Sequence, residues 1–94
     1  MTDVMAELRA RFLVRCADHL ERIAALRDGD TLAAEEMQAL VHSLAGAAGT
    51  FGFPGISAAA GACDAAFAGG GAPDGAMIER LVMTIKEALA TRKD

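Results

Sequence analysis

His42 is the residue of this 94-residue chain whose type and setting are best suited to chemistry. It opens the stretch His42–Gly52, HSLAGAAGTFG, which is rich in small residues. A neutral imidazole has a nucleophilic lone pair near neutral pH, because its unperturbed pKa is about 6.5. The other histidine, His19, falls at the edge of an apolar helical stripe, where we expect a partly buried ring with a local hydrogen bond. The chemistry to consider is nucleophilic attack by one exposed imidazole.

Composition excludes several other kinds of function. The net charge is −4, no stripe of basic residues is present, and Trp and Tyr are absent, so nucleic-acid binding has little support. Although 53% of the residues are apolar, no apolar run approaches the roughly 20 residues of a membrane span. The first residues do not resemble a signal peptide. We therefore expect a soluble, cytoplasmic protein.

The two cysteines lack the spacing of a metal or redox motif. Cys16 and Cys63 both fall at apolar positions of helical patterns. We therefore interpret them as buried, reduced thiols in preference to a disulfide or a metal site.

The first element that must support His42 is a helix predicted from about Asp3 to Arg27, with Asp3 as its N-cap. Asp28-Gly29-Asp30 is expected to end it. Its apolar residues recur at three- and four-residue steps and form one stripe: Met5, Leu8, Phe12, Cys16, Leu20, Ile23 and Leu26. Leu13 and Val14 fall off this stripe, so we expect them to be exposed and to contribute to a docking surface.

The second predicted helix begins with Thr31 as its cap and carries His42. Its expected core residues cluster within about a third of the circumference: Leu32, Met37, Leu40, Val41, Leu44, Ala48 and Phe51. His42 lies roughly opposite their mean direction, and its side chain should therefore point to solvent.

Small residues surround His42 on this outer face. The residues three or four positions away are Gln38, Ala39, Ala45 and Gly46, and Gly49 lies one turn further on. A glycine inside a helix costs about 1 kcal/mol relative to alanine, so both glycines need a reason. For Gly46 we favour access of a partner's reactive group to the ring. For Gly49, access and tight helix packing are equally supported.

Two further helices complete the predicted architecture. Gly52 suits the C-cap of the second helix, and Pro54 suits the first turn of the third. The third helix has a narrow apolar seam, and Asp74 caps the last helix. With no strand signal, we predict an all-α, antiparallel up-down four-helix bundle that forms a single domain over residues 1–94.

The stretch His42–Gly52 resembles the signature of histidine phosphotransfer (HPt) domains, in which His-x-Leu-Lys-Gly precedes small residues and a further glycine. The similarity extends over nearly the whole chain, through an alanine-rich helix and a final amphipathic helix. It implies a four-helix bundle whose exposed histidine accepts phosphoryl groups from a histidine kinase or exchanges them with receiver-domain aspartates in a phosphorelay. By this resemblance His42 is the phosphoryl acceptor and Gly46 clears access to it.

The resemblance also implies what the chain does not need. A receiver domain would supply magnesium, so we expect no cofactor or metal in this chain and no kinase activity of its own. The implied partners are response-regulator receiver domains and a histidine kinase or hybrid kinase, with no nucleic acid or membrane, and we expect a monomer.

One departure from the family pattern concerns charge. The family often has lysine three residues after the histidine, where this chain has Ala45. Gln38 could instead hydrogen-bond to the ring or phosphate, although a solvated glutamine is equally consistent. Arg11 and Arg15 of the first helix are other candidates. The missing lysine leaves open a degenerate HPt-like scaffold that binds partners without transferring phosphate.

Two further alternatives have less support. A histidine-kinase dimerisation helix would have an acidic residue and a proline where this chain has Ser43 and Ala47. An independent enzyme would need a carboxylate to orient the ring, and the local pattern around His42 provides none.

Overall fold

The computed structural model describes residues 3–26 and 31–91, except for the side chains of residues 31 and 32. These residues form four helices: α1 (Val4–Leu26), α2 (Thr31–Thr50), α3 (Pro54–Ala68) and α4 (Gly75–Ala90). No strand occurs in this part of the chain. The predicted all-α four-helix bundle is therefore confirmed.

The helices alternate in direction around the bundle. Each helix contacts the one before and the one after it in the chain, and α1 contacts α4 to close the bundle. Side-chain contacts at both ends of α1 show that it is antiparallel to α2. Arg22 forms an ion pair with Glu36, and the Arg9 Nε donates to the Phe51 carbonyl oxygen at 2.9 Å. Short connections place successive helices side by side in this way.

The helix ends follow the predicted signals wherever the structure describes them. Asp3 Oδ1 accepts hydrogen bonds from the backbone N–H groups of Met5 and Ala6, and Asp74 Oδ1 accepts from Met77 N–H. Three predictions lie outside the part of the chain that the structure describes. The helix end Asp28-Gly29-Asp30 falls on undescribed residues, and the cap Thr31 and the core position Leu32 have undescribed side chains.

The turn between α2 and α3 depends on a left-handed glycine. Gly52 has φ +84°, and the Phe53 N–H donates to the Ala48 carbonyl oxygen at 2.8 Å, which is the Schellman arrangement. Pro54 occupies the first turn of α3, as predicted. The turn places α3 directly beside the helix that carries His42.

The core contains apolar residues from all four helices, among them Ile23, Val41, Leu44, Ile56 and Ile85. Near the α2–α3 turn, the Phe12 ring lies 5.7 Å from the Phe51 ring and 5.2 Å from the Phe53 ring, measured between centroids. Aromatic groups at these separations add to the energy of burial alone.

Two predictions for α1 were wrong. Leu13 is only 5% exposed and therefore does not contribute to a docking surface, whereas Val14 is exposed as predicted. Leu13 is buried because α1 contacts both α2 and α4, so its buried arc is wider than one stripe. Met5, which we placed on the apolar stripe of α1 and expected to be covered, is 40% exposed. Arg9 binds the Phe51 carbonyl oxygen at the end of α2, and Met5 lies one turn before Arg9 on α1. Met5 is therefore beyond the end of α2, the helix that would otherwise cover it.

Both cysteines are fully buried, which confirms their predicted place in the core, and neither forms a disulfide in the structure. Burial raises the pKa of the Cys16 thiol to about 11 and also raises the pKa of Cys63, with a smaller contribution from the Asp74 carboxylate. Thiols in such surroundings are poor nucleophiles.

Among the described residues, no helix has both the length and the apolar character needed to cross a membrane.

Candidate functional site

The His42 side chain is 77% exposed on the outer face of α2, as its helical phase predicted. The core side of the same helix is formed by Val41 and Leu44, which are both 1% exposed. The buried face of α2 therefore packs in the core, and the His42 ring on the other face is accessible from solvent.

A carboxylate from α3 orients the ring. Asp64 lies 22 residues beyond His42, and its Oδ2 is 3.0 Å from the His42 Nδ1. The Asp64 side chain is 30% exposed. When the ring is neutral, its Nδ1–H donates to this carboxylate, and the lone pair is then on Nε2. The arrangement resembles the orienting carboxylates of other nucleophilic sites, where the hydrogen bond fixes the tautomer.

The local pattern around His42 on α2 provides no carboxylate, and the one that orients the ring comes from the next helix. The one signal in the sequence that could have identified it is charge. Asp64 is the only Asp, Glu, Lys or Arg between Met37 and Pro73.

The two glycines of α2 face different surroundings. A Cβ atom built on Gly46 would meet nothing within 4 Å, so no packing contact requires glycine there. A Cβ atom on Gly49 would lie 3.4 Å from the Ser57 Oγ of α3. The structure therefore agrees with the access interpretation for Gly46 and favours helix packing for Gly49.

The remaining predicted site residues lie near His42 without contacting it through a side-chain hydrogen bond. Gln38 is exposed, and the hydrogen-bond partner of the ring is Asp64. Ala45 is half-buried, and its carbonyl oxygen accepts a hydrogen bond from Ser57 Oγ at 2.9 Å. Ala45 provides no charge, as the sequence indicated.

The basic side chain that reaches α2 from the start of α1 is Arg9, not Arg11 or Arg15. It binds the Phe51 carbonyl oxygen at the end of α2, and its guanidinium would be 3.3 Å from a Cβ atom built on Gly52. A cation at a helix C-terminus stabilises the exposed carbonyl groups. Arg9 thus caps the helix that carries His42 and does not replace the family lysine.

The second histidine is unlike the first. His19 is half-buried on α1, and within the described ranges its ring makes no hydrogen bond, contrary to our prediction. Burial, assisted by the Arg15 charge and opposed by Asp18, lowers the pKa of His19 below 6.5. In the part of the chain that the structure describes, no cluster of His, Cys, Asp and Glu could hold a metal ion.

Comparison with known proteins identifies the family. The chain has no significant match among the curated proteins or among the solved structures. The family model described as the Hpt domain matches residues 7–91, which include all of α2, α3 and α4 and all of α1 except its first three residues. The chain therefore belongs to the HPt domain family.

Proposed function

We propose that this chain is a phosphohistidine carrier of a two-component phosphorelay, with His42 as its phosphoryl acceptor. The observation that carries the proposal is the pairing of Asp64 with His42 Nδ1 on an exposed ring. It leaves Nε2 as the nucleophilic atom, and the open space above Gly46 admits a donor to that side of the helix. Family membership supports the same role.

The proposed transfer needs little from the chain itself. The Nε2 lone pair attacks the phosphorus of a receiver's aspartyl phosphate, a P–N bond forms, and the acyl P–O bond breaks to release the aspartate carboxylate. Because Nδ1 keeps its proton, the phosphorylated ring carries a positive charge beside the Asp64 carboxylate. Stabilisation of charge that develops during transfer is the contribution expected from such a group. Magnesium would be held by the receiver.

The proposed partners follow from this role. They are receiver domains of response regulators and a histidine kinase or hybrid kinase, both of which act in the cytoplasm. The chain would accept and pass on the phosphoryl group, and the ATP-dependent step would belong to the kinase.

A scaffold that binds these partners without carrying phosphate is the second candidate. The observation that favours it is Ala45, which leaves the phosphate without the cation that the family often provides. Asp64 weakens this candidate, because a scaffold would have no use for an oriented ring.

Phosphoramidate, a small donor that needs no receiver, separates the two candidates. We expect phosphorus and nitrogen NMR to show one acid-labile, base-stable phosphoryl group on Nε2 of His42, and none in His42→Gln. His19 is an internal control, because its half-buried ring should remain unmodified. Transfer from radiolabelled receiver domains then identifies the partners. If wild type and His42→Gln bind receivers equally and neither accepts phosphate from either donor, the scaffold is the correct function.

A further inference from the structure

A polar contact joins helices α2 and α3 about two turns from the His42–Asp64 pair. The Ser57 Oγ of α3 donates to the Ala45 carbonyl oxygen of α2 at 2.9 Å, and Ser57 is half-buried. The close approach is possible because residue 49 has no side chain, since a Cβ atom there would already be 3.4 Å from Ser57 Oγ. We call Ser57, Ala45 and Gly49 the helix contact.

The helix contact and the His42–Asp64 pair both depend on the same alignment of α2 along α3. The two helices run antiparallel, and Gly49 lies about two turns beyond His42 on α2. Ser57 lies about two turns before Asp64 on α3. Equal steps along both helices therefore lead from one contact to the other. A shift or separation of the helices at Ser57 is transmitted to Asp64, because a helix of this length behaves as a rigid element.

The exposed pair cannot maintain this alignment by itself. His42 is 77% exposed and Asp64 30% exposed, and ion pairs or charged hydrogen bonds at such exposure contribute little. The geometry is also narrow. The Nδ1–Oδ2 distance is 3.0 Å, and lengthening it beyond about 3.5 Å would remove the hydrogen bond. A displacement of about half an ångström is therefore sufficient to leave the ring without its orienting group.

We propose that Ser57 and Gly49 act as positioning residues that keep Asp64 within hydrogen-bond distance of His42 and thereby fix the neutral ring with its proton on Nδ1. The consequence for phosphotransfer rests on the proposed function, whereas the effect on the ring does not. Neither residue touches the ring or a phosphoryl group, so neither is catalytic.

The first test is a pair of matched glycine-to-leucine substitutions. Gly49→Leu adds a side chain against Ser57, and Gly75→Leu adds the same side chain at the start of α4, where a Cβ atom would meet nothing within 4 Å. Nitrogen NMR of the His42 ring reports the ratio of its two neutral tautomers. In Gly49→Leu we expect the ratio to move by up to about fivefold away from the Nδ1–H form, which is the upper limit for loss of one exposed charged hydrogen bond. Gly75→Leu should retain the wild-type ratio.

The second test removes the hydroxyl without adding bulk, in case Gly49→Leu does not fold. Asp64→Ala removes the carboxylate and so gives the largest expected change in the tautomer ratio of His42. Ser57→Ala should move this ratio in the same direction. The matched control is Thr50→Val, which also deletes a hydroxyl that donates to a backbone carbonyl, here that of Gly46 at 3.1 Å within α2. Thr50→Val should leave the ring unchanged, since its bond does not join two helices.

The outcomes are distinguishable from a failure of the proposed function. If folded Ser57→Ala and folded Gly49→Leu both retain the wild-type ratio, the positioning role is overturned. The same result follows if Thr50→Val shifts the ratio as much as Ser57→Ala does. If the ring responds as expected but wild type takes up no phosphate from phosphoramidate or receivers, the positioning role stands and the carrier function fails.

Discussion

Substitution of Gly46 by glutamine should stabilise the fold and at the same time slow transfer from a receiver. Gly46 lies inside α2, and a Cβ atom there meets nothing within 4 Å, so no steric cost opposes the gain in helix propensity. Replacing glycine by glutamine should raise the free energy of unfolding by about 0.5–1 kcal/mol. For a domain of this size the melting temperature should rise by about 2–8 °C.

The effect on transfer has the opposite sign. Gly46 is one turn from His42, so a glutamine side chain occupies the space in which a receiver must dock. Interface cores are packed as densely as protein interiors, and extra bulk in such packing costs about 1–3 kcal/mol. Applied to the transition state of transfer, this cost corresponds to a rate roughly 5- to 150-fold lower.

Three measurements check this reasoning. Urea unfolding gives the change in stability, and single-turnover transfer from a radiolabelled receiver gives the rate. Uptake from phosphoramidate gives the reactivity of the ring itself, which should stay at the wild-type value because the donor is small. Gly46→Ala is the control, with a similar gain in stability and a smaller effect on transfer. A loss of stability in Gly46→Gln, or unchanged transfer from the receiver, would refute the access role of Gly46.

Three other expectations follow from the same structure. Gly52→Ala should lower the free energy of unfolding in urea by about 1–2 kcal/mol, because φ is +84° there; an unchanged value would contradict the Schellman cap. Because the pKa of His19 is held below 6.5, its contribution to stability is complete above about pH 6.5 and is lost as the pH falls through the lower, folded-state pKa. Urea unfolding at about pH 7.5 and 5.5 should therefore show a smaller loss in His19→Gln than in wild type, and equal losses would argue against this assignment. Ala45→Lys should lengthen the lifetime of the phosphohistidine, measured by its decay, since the added cation can pair with the phosphate.

The parts of the site that depend on one helix could be predicted from the sequence. The phase of the apolar residues in α2 placed His42 outward, and Gly52 followed by Pro54 identified the end of one helix and the start of the next. These features depend on local geometry with a fixed period, which a sequence displays directly.

The parts that depend on two helices could not be predicted in the same way. Asp64 reaches His42 only because a particular face of α3 meets α2, and a 22-residue separation does not indicate that face. Gly49 remained ambiguous until Ser57 was found beside it. Leu13 was misassigned because one apolar stripe does not show that α1 has two neighbours.

The isolation of Asp64 as the only charged residue between Met37 and Pro73 has a kinetic consequence. Long-range attraction between unlike charges raises association rate constants above the roughly 10⁵–10⁶ M⁻¹s⁻¹ of neutral surfaces, and dissolved ions screen that attraction. The segments that surround His42 have almost no charge with which to attract a partner from a distance. Encounters on this face should therefore be slow and nearly independent of ionic strength. Discrimination between competing partners then depends on how closely their surfaces fit once they meet.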